Sequence, residues 1–143
     1  MRECPKLFRA HFRELGRKVK GIPLDIDWNA YAQASALGRL HFLTVRADDD
    51  LIGYVATHVG PHNNYRSTTH GFVSAAWLHP DYRSGWTGYT MLKENDRLLK
   101  KAGVARVTCA EYLAHKGKHG KRLRVIFQRL GYVPIEVHYE KVL

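Results

Sequence analysis

The residues best suited to chemistry lie together in Trp77-Leu78-His79-Pro80-Asp81-Tyr82-Arg83-Ser84-Gly85-Trp86-Thr87-Gly88-Tyr89. The run from Phe72 to Leu78 is apolar enough for a buried strand, and Pro80 with Asp81 ends it with turn chemistry. Gly85 and Gly88 let backbone N–H groups approach a ligand with no Cβ in the way, and Arg83 carries a permanent charge on a fork that matches phosphate. From Thr87 the spacing predicts a helix, because Met91, Leu92, Asn95, Leu98, Leu99 and Ala102 recur every three or four residues and Gly103 is placed to end it. A helix N-terminus behind glycines is an anion site. The stretch reads as a phosphate cradle or as a plain strand-to-helix turn, and its context has to decide between them.

The elements that must position this loop follow from periodicity. Leu7, Phe8, His11, Phe12, Leu15 and Val19 mark one face of a first helix, with Arg9, Arg13, Arg17 and Lys18 outward. Asp27 offers an N-cap to a second helix containing Trp28, Tyr31, Ala32 and Ser35, ended by Gly38. Phe42 to Val45 and Leu51 to Val59 read as strands joined by the turn Asp48-Asp49-Asp50, with Gly60 to Tyr65 connecting to a strand from Gly71 to Leu78. These three should be antiparallel. After the loop and its helix, Val104 to Cys109 form a strand parallel to its neighbour. A helix with Leu123, Ile126, Phe127 and Leu130 on one face stops at Gly131, and Val133, Ile135, Val137 and Tyr139 alternate as a final strand with Pro134 at its start or edge. The expected fold is a mixed α/β sheet in the order α-α-β-β-β-α-β-α-β, with residues 1–143 as one domain.

Composition narrows the function classes. The 143 residues suffice for one continuous core, and no apolar run approaches the ~20 residues of a membrane span. The N-terminus opens on charges without an apolar signal core, so an intracellular, cytoplasmic protein is expected. Cys4 and Cys109 suggest reduced thiols, and His58, His62 and His70 lack the tight spacing of metal ligands. With 23 Lys plus Arg against 13 Asp plus Glu, the net charge of +10 draws the chain toward polyanions or acidic surfaces. The segment His115 to Arg122 is the most basic, and it suits a phosphate, nucleic acid or plain solvent.

Taken together, the loop, Asp27-Trp28-Asn29-Ala30-Tyr31, Leu51-Ile52-Gly53-Tyr54, Pro61-His62-Asn63-Asn64-Tyr65, and Leu130-Gly131-Tyr132 leading to Tyr139-Glu140-Lys141-Val142-Leu143 resemble the GNAT superfamily of N-acetyltransferases, and within it a small phage-encoded branch. The superfamily's usual loop is Arg or Gln, two residues, Gly, one residue, then Gly or Ala. Here Gly85 falls one position early and Trp86 stands where glycine is usual, the Arg-x-Gly-x-x-Gly form often seen in that branch.

The resemblance implies acetyl-CoA as co-substrate. Its pantetheine arm would run beside Ala76, Trp77, Leu78 and His79, and its pyrophosphate would rest on Arg83, Ser84, Gly85, Trp86, Thr87, Gly88 and Tyr89. Phe127 falls where the superfamily often has a tyrosine that protonates the CoA thiolate, and Ser74 falls where the branch often has a carboxylate. A protonated amine acceptor needs a base. Glu111 at the end of the strand after the loop is the first candidate and His70 the second, with Tyr112, Tyr132 or a water as the proton donor. The expected activity is acetyl transfer to a primary amine on a macromolecule in acidic surroundings: a protein lysine, an aminoacyl-tRNA or a modified DNA base. The rival readings are an inactive CoA- or partner-binding module and a basic nucleic-acid-binding protein. The exposed last strand could also pair two copies into a homodimer.

Overall fold

The computed structural model describes residues 4–15, 23–111, 118–138 and Lys141. Two helices come first, α1 (Cys4–Leu15) and α2 (Trp28–Ala36), followed by strands β1 (Leu40–Ala47), β2 (Asp50–His62) and β3 (Tyr65–Leu78). A 3₁₀ turn at Pro80–Tyr82 leads to α3 (Thr87–Lys101), then β4 (Val104–Cys109) and α4 (Lys118–Arg129). The sheet runs in the order β1-β2-β3-β4, antiparallel through β3, with β4 parallel to it.

Each face of the sheet has its own core. On one side α1 and α2 bring Leu7, Phe8, Trp28 and Tyr31 against Phe42, Tyr54 and Trp77. Phe8 is the hub, stacked on Tyr54 at 4.4 Å between centroids and meeting Trp28 edge-on at 5.0 Å. On the other side α3 and α4 bring Met91, Leu92, Ile126 and Phe127 against Val55, Val73 and Leu78. Local signals set the helix limits as expected: Asp27 accepts a 2.9 Å hydrogen bond from the Ala30 amide, and Gly38 and Gly103 take positive φ at the ends of α2 and α3.

Two boundaries differ from the sequence expectation. The β2–β3 hairpin is much longer, because the strands extend to His62 and Tyr65 and only Asn63 and Asn64 turn. Pro61 is tolerated in β2 because β1 has already ended opposite His58, which leaves Pro61 on an edge. α1 is described as far as Leu15, and Val19 lies outside the described residues. The expected final strand is absent from 132–138, so the observed order ends at α4. The alternation is present, but Val133, Ile135 and Val137 are 72%, 55% and 66% exposed, and Pro134 removes one ladder donor. With the apolar members exposed among the described residues, alternation alone does not make a strand.

Two irregularities shape the end of β3. A bulge leaves Ser74 without a partner opposite Ala56 and Thr57, so Val73 faces α3 while Ala75 faces α1. Gly53 sits across from Leu78 so closely that a Cβ there would lie 2.9 Å from both Leu78 Cδ1 and the Trp77 carbonyl oxygen. Gly53→Ala must therefore push the end of β3 away from β2. It should cost about 1–3 kcal/mol of stability by overpacking, read as a lowered midpoint in a urea melt with circular dichroism; an unchanged midpoint would show that the contact is slack.

Candidate functional site

The β3–β4 ladder ends at the pair Val73 and Cys109, yet β3 continues to Leu78, beside β2 alone among the described residues. The result is a gap beside β3, beyond the end of β4. His79 N–H donates to Ile52 O at 2.7 Å, so the alternation of strand groups turns the N–H and C=O of Leu78 and Ala76 to the gap side. Ala76 and Ser74 are exposed there, while the Trp77 side chain is buried against α1. An extended ligand arm bearing amides can hydrogen-bond to such a strand edge as a further strand would.

The gap leads up to the loop. Tyr82 N–H and Arg83 N–H close the 3₁₀ turn on His79 O and Pro80 O, and Ser84, Gly85 and Trp86 stand exposed before α3. Trp86 is the N-cap of α3 and makes no side-chain capping bond, so the first turn's N–H groups are not capped from within. Gly85 and Gly88 do not need the positive φ that sets glycine apart. What they supply is room: a Cβ on Gly85 would meet nothing within 4 Å, and one on Gly88 would sit 3.5 Å from Ile126 Cδ1, where α4 crosses the start of α3. Tyr89 meets Trp86 edge-on at 5.5 Å, and Thr87 opens the helix. This exposed, glycine-cleared, uncapped helix start fits a pyrophosphate, so the chain's residues fit acetyl-CoA.

Arg83 is engaged elsewhere. Its Nη1 and Nη2 each donate to Glu14 at 2.6 Å, its Nε donates to Leu78 O at 2.7 Å, and its guanidinium lies 5.8 Å from the Trp77 ring. Glu14 Oε2 also accepts from Trp77 Nε1 at 2.8 Å. The arginine read as a phosphate fork thus ties α1 to the end of β3. Charge beside the loop comes from α4, where Arg122 Nη2 donates to Gly85 O at 2.9 Å and Arg129 lies 5.4 Å over the Trp86 ring. These two are seven apart, two helical turns on one face, a spacing visible in the sequence. Nothing in the sequence marked Glu14, an apparently solvated residue of α1, as Arg83's partner.

The catalytic candidates separate. Glu111 stands two residues past the end of β4, at the mouth of the gap, with its carboxylate accepting from Arg124 Nε at 2.8 and 3.0 Å. His70 does not join it. It lies four residues below the Ser74 bulge, about 13 Å along the strand, stacked with His62 and Tyr65, its Nε2 3.0 Å from Thr68 Oγ1. Tyr112 lies outside the described residues. Phe127 packs in the α3–α4 core, 5.4 Å from the Tyr132 ring. The Tyr132 hydroxyl donates to Asp96 Oδ1 at 2.6 Å; burial and that carboxylate push its pKa up, so it is a reluctant proton donor. Burial also raises Cys109, at the end of β4, to about 11, which makes it a thiol at neutral pH. A cavity of about 520 Å³ lies apart from the gap, between β1 and α3, lined by Leu43, Val45, Trp86 and Met91.

Comparisons with known proteins bear on the fold that carries this site. Among solved structures, a predicted acetyltransferase from Clostridium acetobutylicum crystallised with acetyl-CoA superposes with a TM-score of 0.68 at 14% identity, covering 94% of this chain and 84% of that one. A Trypanosoma brucei acetyltransferase matches at 0.65 and 15% identity, covering 94% and 92%. An aminoglycoside acetyltransferase from an uncultured soil metagenomic sample, in complex with sisomicin, matches at 0.69 and 11% identity, covering 96% and 84%. At these identities the likeness is one of fold. A search of curated proteins found no significant match.

Arg122→Ala should weaken acetyl-CoA binding about tenfold, the scale of one charge-assisted contact, with little change in melting temperature. Arg83→Ala should lower the melting temperature first, by removing a partly buried fork that ties Glu14 to the Leu78 carbonyl, at about 2 kcal/mol. Calorimetry beside thermal melts checks both; the reverse assignment of effects would return Arg83 to the phosphate. A model of the Acetyltransferase (GNAT) family matches residues 6–123, most of the chain, and the protein belongs to that family, with acetyl-CoA as its co-substrate.

Proposed function

We propose that the protein transfers the acetyl group of acetyl-CoA to a primary amine carried by a macromolecule: a protein lysine, an aminoacyl-tRNA or an amine-bearing modified DNA base. The observation that carries the transferase part is the gap, in which the Ala76 and Leu78 backbone runs up to the uncapped start of α3. Acetyl-CoA supplies a thioester carbonyl to be attacked and a sulfur that leaves as thiolate. Ala76 and Leu78 bind the arm, and Gly85 to Gly88 hold the phosphates beside Arg122.

An amine has to lose its proton before it can attack. Glu111 takes that role, directly or through a water, when the incoming ammonium displaces Arg124 from its carboxylate. Phe127 offers no proton to the departing sulfur and Tyr132 is engaged with Asp96, so Tyr112 or solvent supplies one. With so few titrating groups, positioning of the two reactants carries most of the rate.

The +10 charge supports the macromolecular acceptor, since a polycationic small molecule gains nothing from a basic protein. Overall charge likewise favours this reading over the aminoglycosides named for three of the similar structures. The Arg83-Ser84-Gly85-Trp86-Thr87-Gly88 loop is the basis for placing the protein in the small phage-encoded branch, acting as one domain in the host cytoplasm.

Titration with acetyl-CoA, with ATP as the control, should give micromolar binding, and CoA release with amine-bearing acceptors should fall about a hundredfold in Glu111→Gln. Binding without release in any acceptor class would point to a CoA-binding module instead. Unaltered turnover in Glu111→Gln would remove Glu111 as the base.

A further inference from the structure

One half of the sheet is covered by no described helix. His58, Phe72 and Thr108 form a row across β2, β3 and β4, and Gly60, His70 and Arg106 form the next. Their neighbours Thr57, Val73 and Cys109 point the other way, toward α3, so both rows face the side of α1 and α2. Those helices stop short of them. Tyr31 of α2 reaches only as far as the edge of His58, at 6.4 Å, and Phe72 is 45% exposed.

The exposed surface is aromatic and basic. At the hairpin end His70 stacks on His62 at 5.1 Å and on Tyr65 at 5.5 Å, their planes 29° and 19° apart, and Tyr65 is 54% exposed. The stack is held in place: Asn64 N–H donates to His62 Nδ1 at 3.1 Å, and Thr68 Oγ1 lies 3.0 Å from His70 Nε2. Phe72 stands two residues farther up β3, about 7 Å away, and exposed Arg106 lies beside His70. The two rows and the stack contain no carboxylate. Separate aromatic ring faces on a rigid sheet, with a cation beside them and no anion among them, match unstacked bases and their phosphates.

We infer that this open half-sheet, from the His62–His70–Tyr65 stack to Phe72, is a binding platform for single-stranded nucleic acid. Bases stack on Tyr65 and Phe72, and Arg106 takes a phosphate. A duplex keeps its bases stacked on one another and cannot use the rings. The Phe72–Thr108 row is the last before the Val73–Cys109 pair where the ladder ends, so a bound strand leads to the gap. The binding claim stands on this face alone. Delivery of an amine from that strand to acetyl-CoA rests on the function proposed above.

The experiment is fluorescence anisotropy with a labelled oligothymidylate of about 12 nucleotides, without acetyl-CoA, against the same sequence as a duplex. The strand should bind more tightly than the duplex, with affinity falling as salt rises. Phe72→Ala should cost about tenfold and Phe72→Trp should restore binding. Arg106→Ala should make the salt slope shallower by about one. Arg13→Ala, which removes the same charge from the exposed side of α1, should do neither. The inference fails if no strand binds, if the duplex binds equally well, if Phe72→Ala binds like the parent, or if Arg13→Ala costs as much as Arg106→Ala. It also fails if sedimentation shows a dimer that Phe72→Ala dissociates, because a second copy then covers this face. Since binding is read without acetyl-CoA, its loss and a loss of acetyl transfer are distinguishable.

Discussion

Past Val73, the third strand has a partner on one side only among the described residues, and much of the rest of the molecule serves to keep it straight in that state. A strand edge buried without partners would cost about 1–3 kcal/mol for each unmet group. Ser74 and Ala76 avoid that cost by facing solvent, and the same exposure makes them available to a ligand. The Ser74 bulge lies just beyond the point where the two strands part, and it rotates the following residues so that Trp77 anchors in the α1 core while Leu78 anchors in the α3 core. Gly53 lets Leu78 settle against β2, and Arg83 fastens the strand's end to Glu14. The open edge is held on three sides by packing and hydrogen bonds.

The cationic residues around this edge divide the work. A fork whose three nitrogens all donate, to a carboxylate and a carbonyl, fixes geometry well and has little left for a phosphate. Arg122 and Arg129 hold the loop from outside, through a carbonyl and a ring, and so keep their charge beside the exposed amides of the α3 start. The α3 first turn itself supplies donors aimed outward, which is the geometry anions bind. Glu111 and Arg124 form a further pair at the β4 side of the gap, where exchange of the cation is the chemistry an incoming ammonium would require.

Much of this was legible in the sequence, and the reasons differ by element. Helix limits were readable because caps are local: Asp27 before α2 and Gly103 after α3 act on neighbours a few residues away. The loop and the parallel β4 followed from the order of apolar runs. The long hairpin was not readable, since Gly60 and Pro61 look like a turn unless one knows that β1 has already ended. The final strand failed for the opposite reason: Val133, Ile135 and Val137 alternate correctly but remain exposed among the described residues. Arg83 was recognised as part of the site, but its partner is sixty-nine positions away in α1, and no local pattern encodes such a pair.

The central claim is that the β3 edge facing the gap receives the arm of acetyl-CoA, and residue-resolved hydrogen exchange by NMR tests it most directly. On saturation with CoA, the amides of Ala76 and Leu78 should exchange at least about tenfold more slowly, while that of Trp77, already turned to β2, should change little. Equal rates at Ala76 and Leu78 with and without saturating CoA would contradict the account and move the cofactor to another part of the fold.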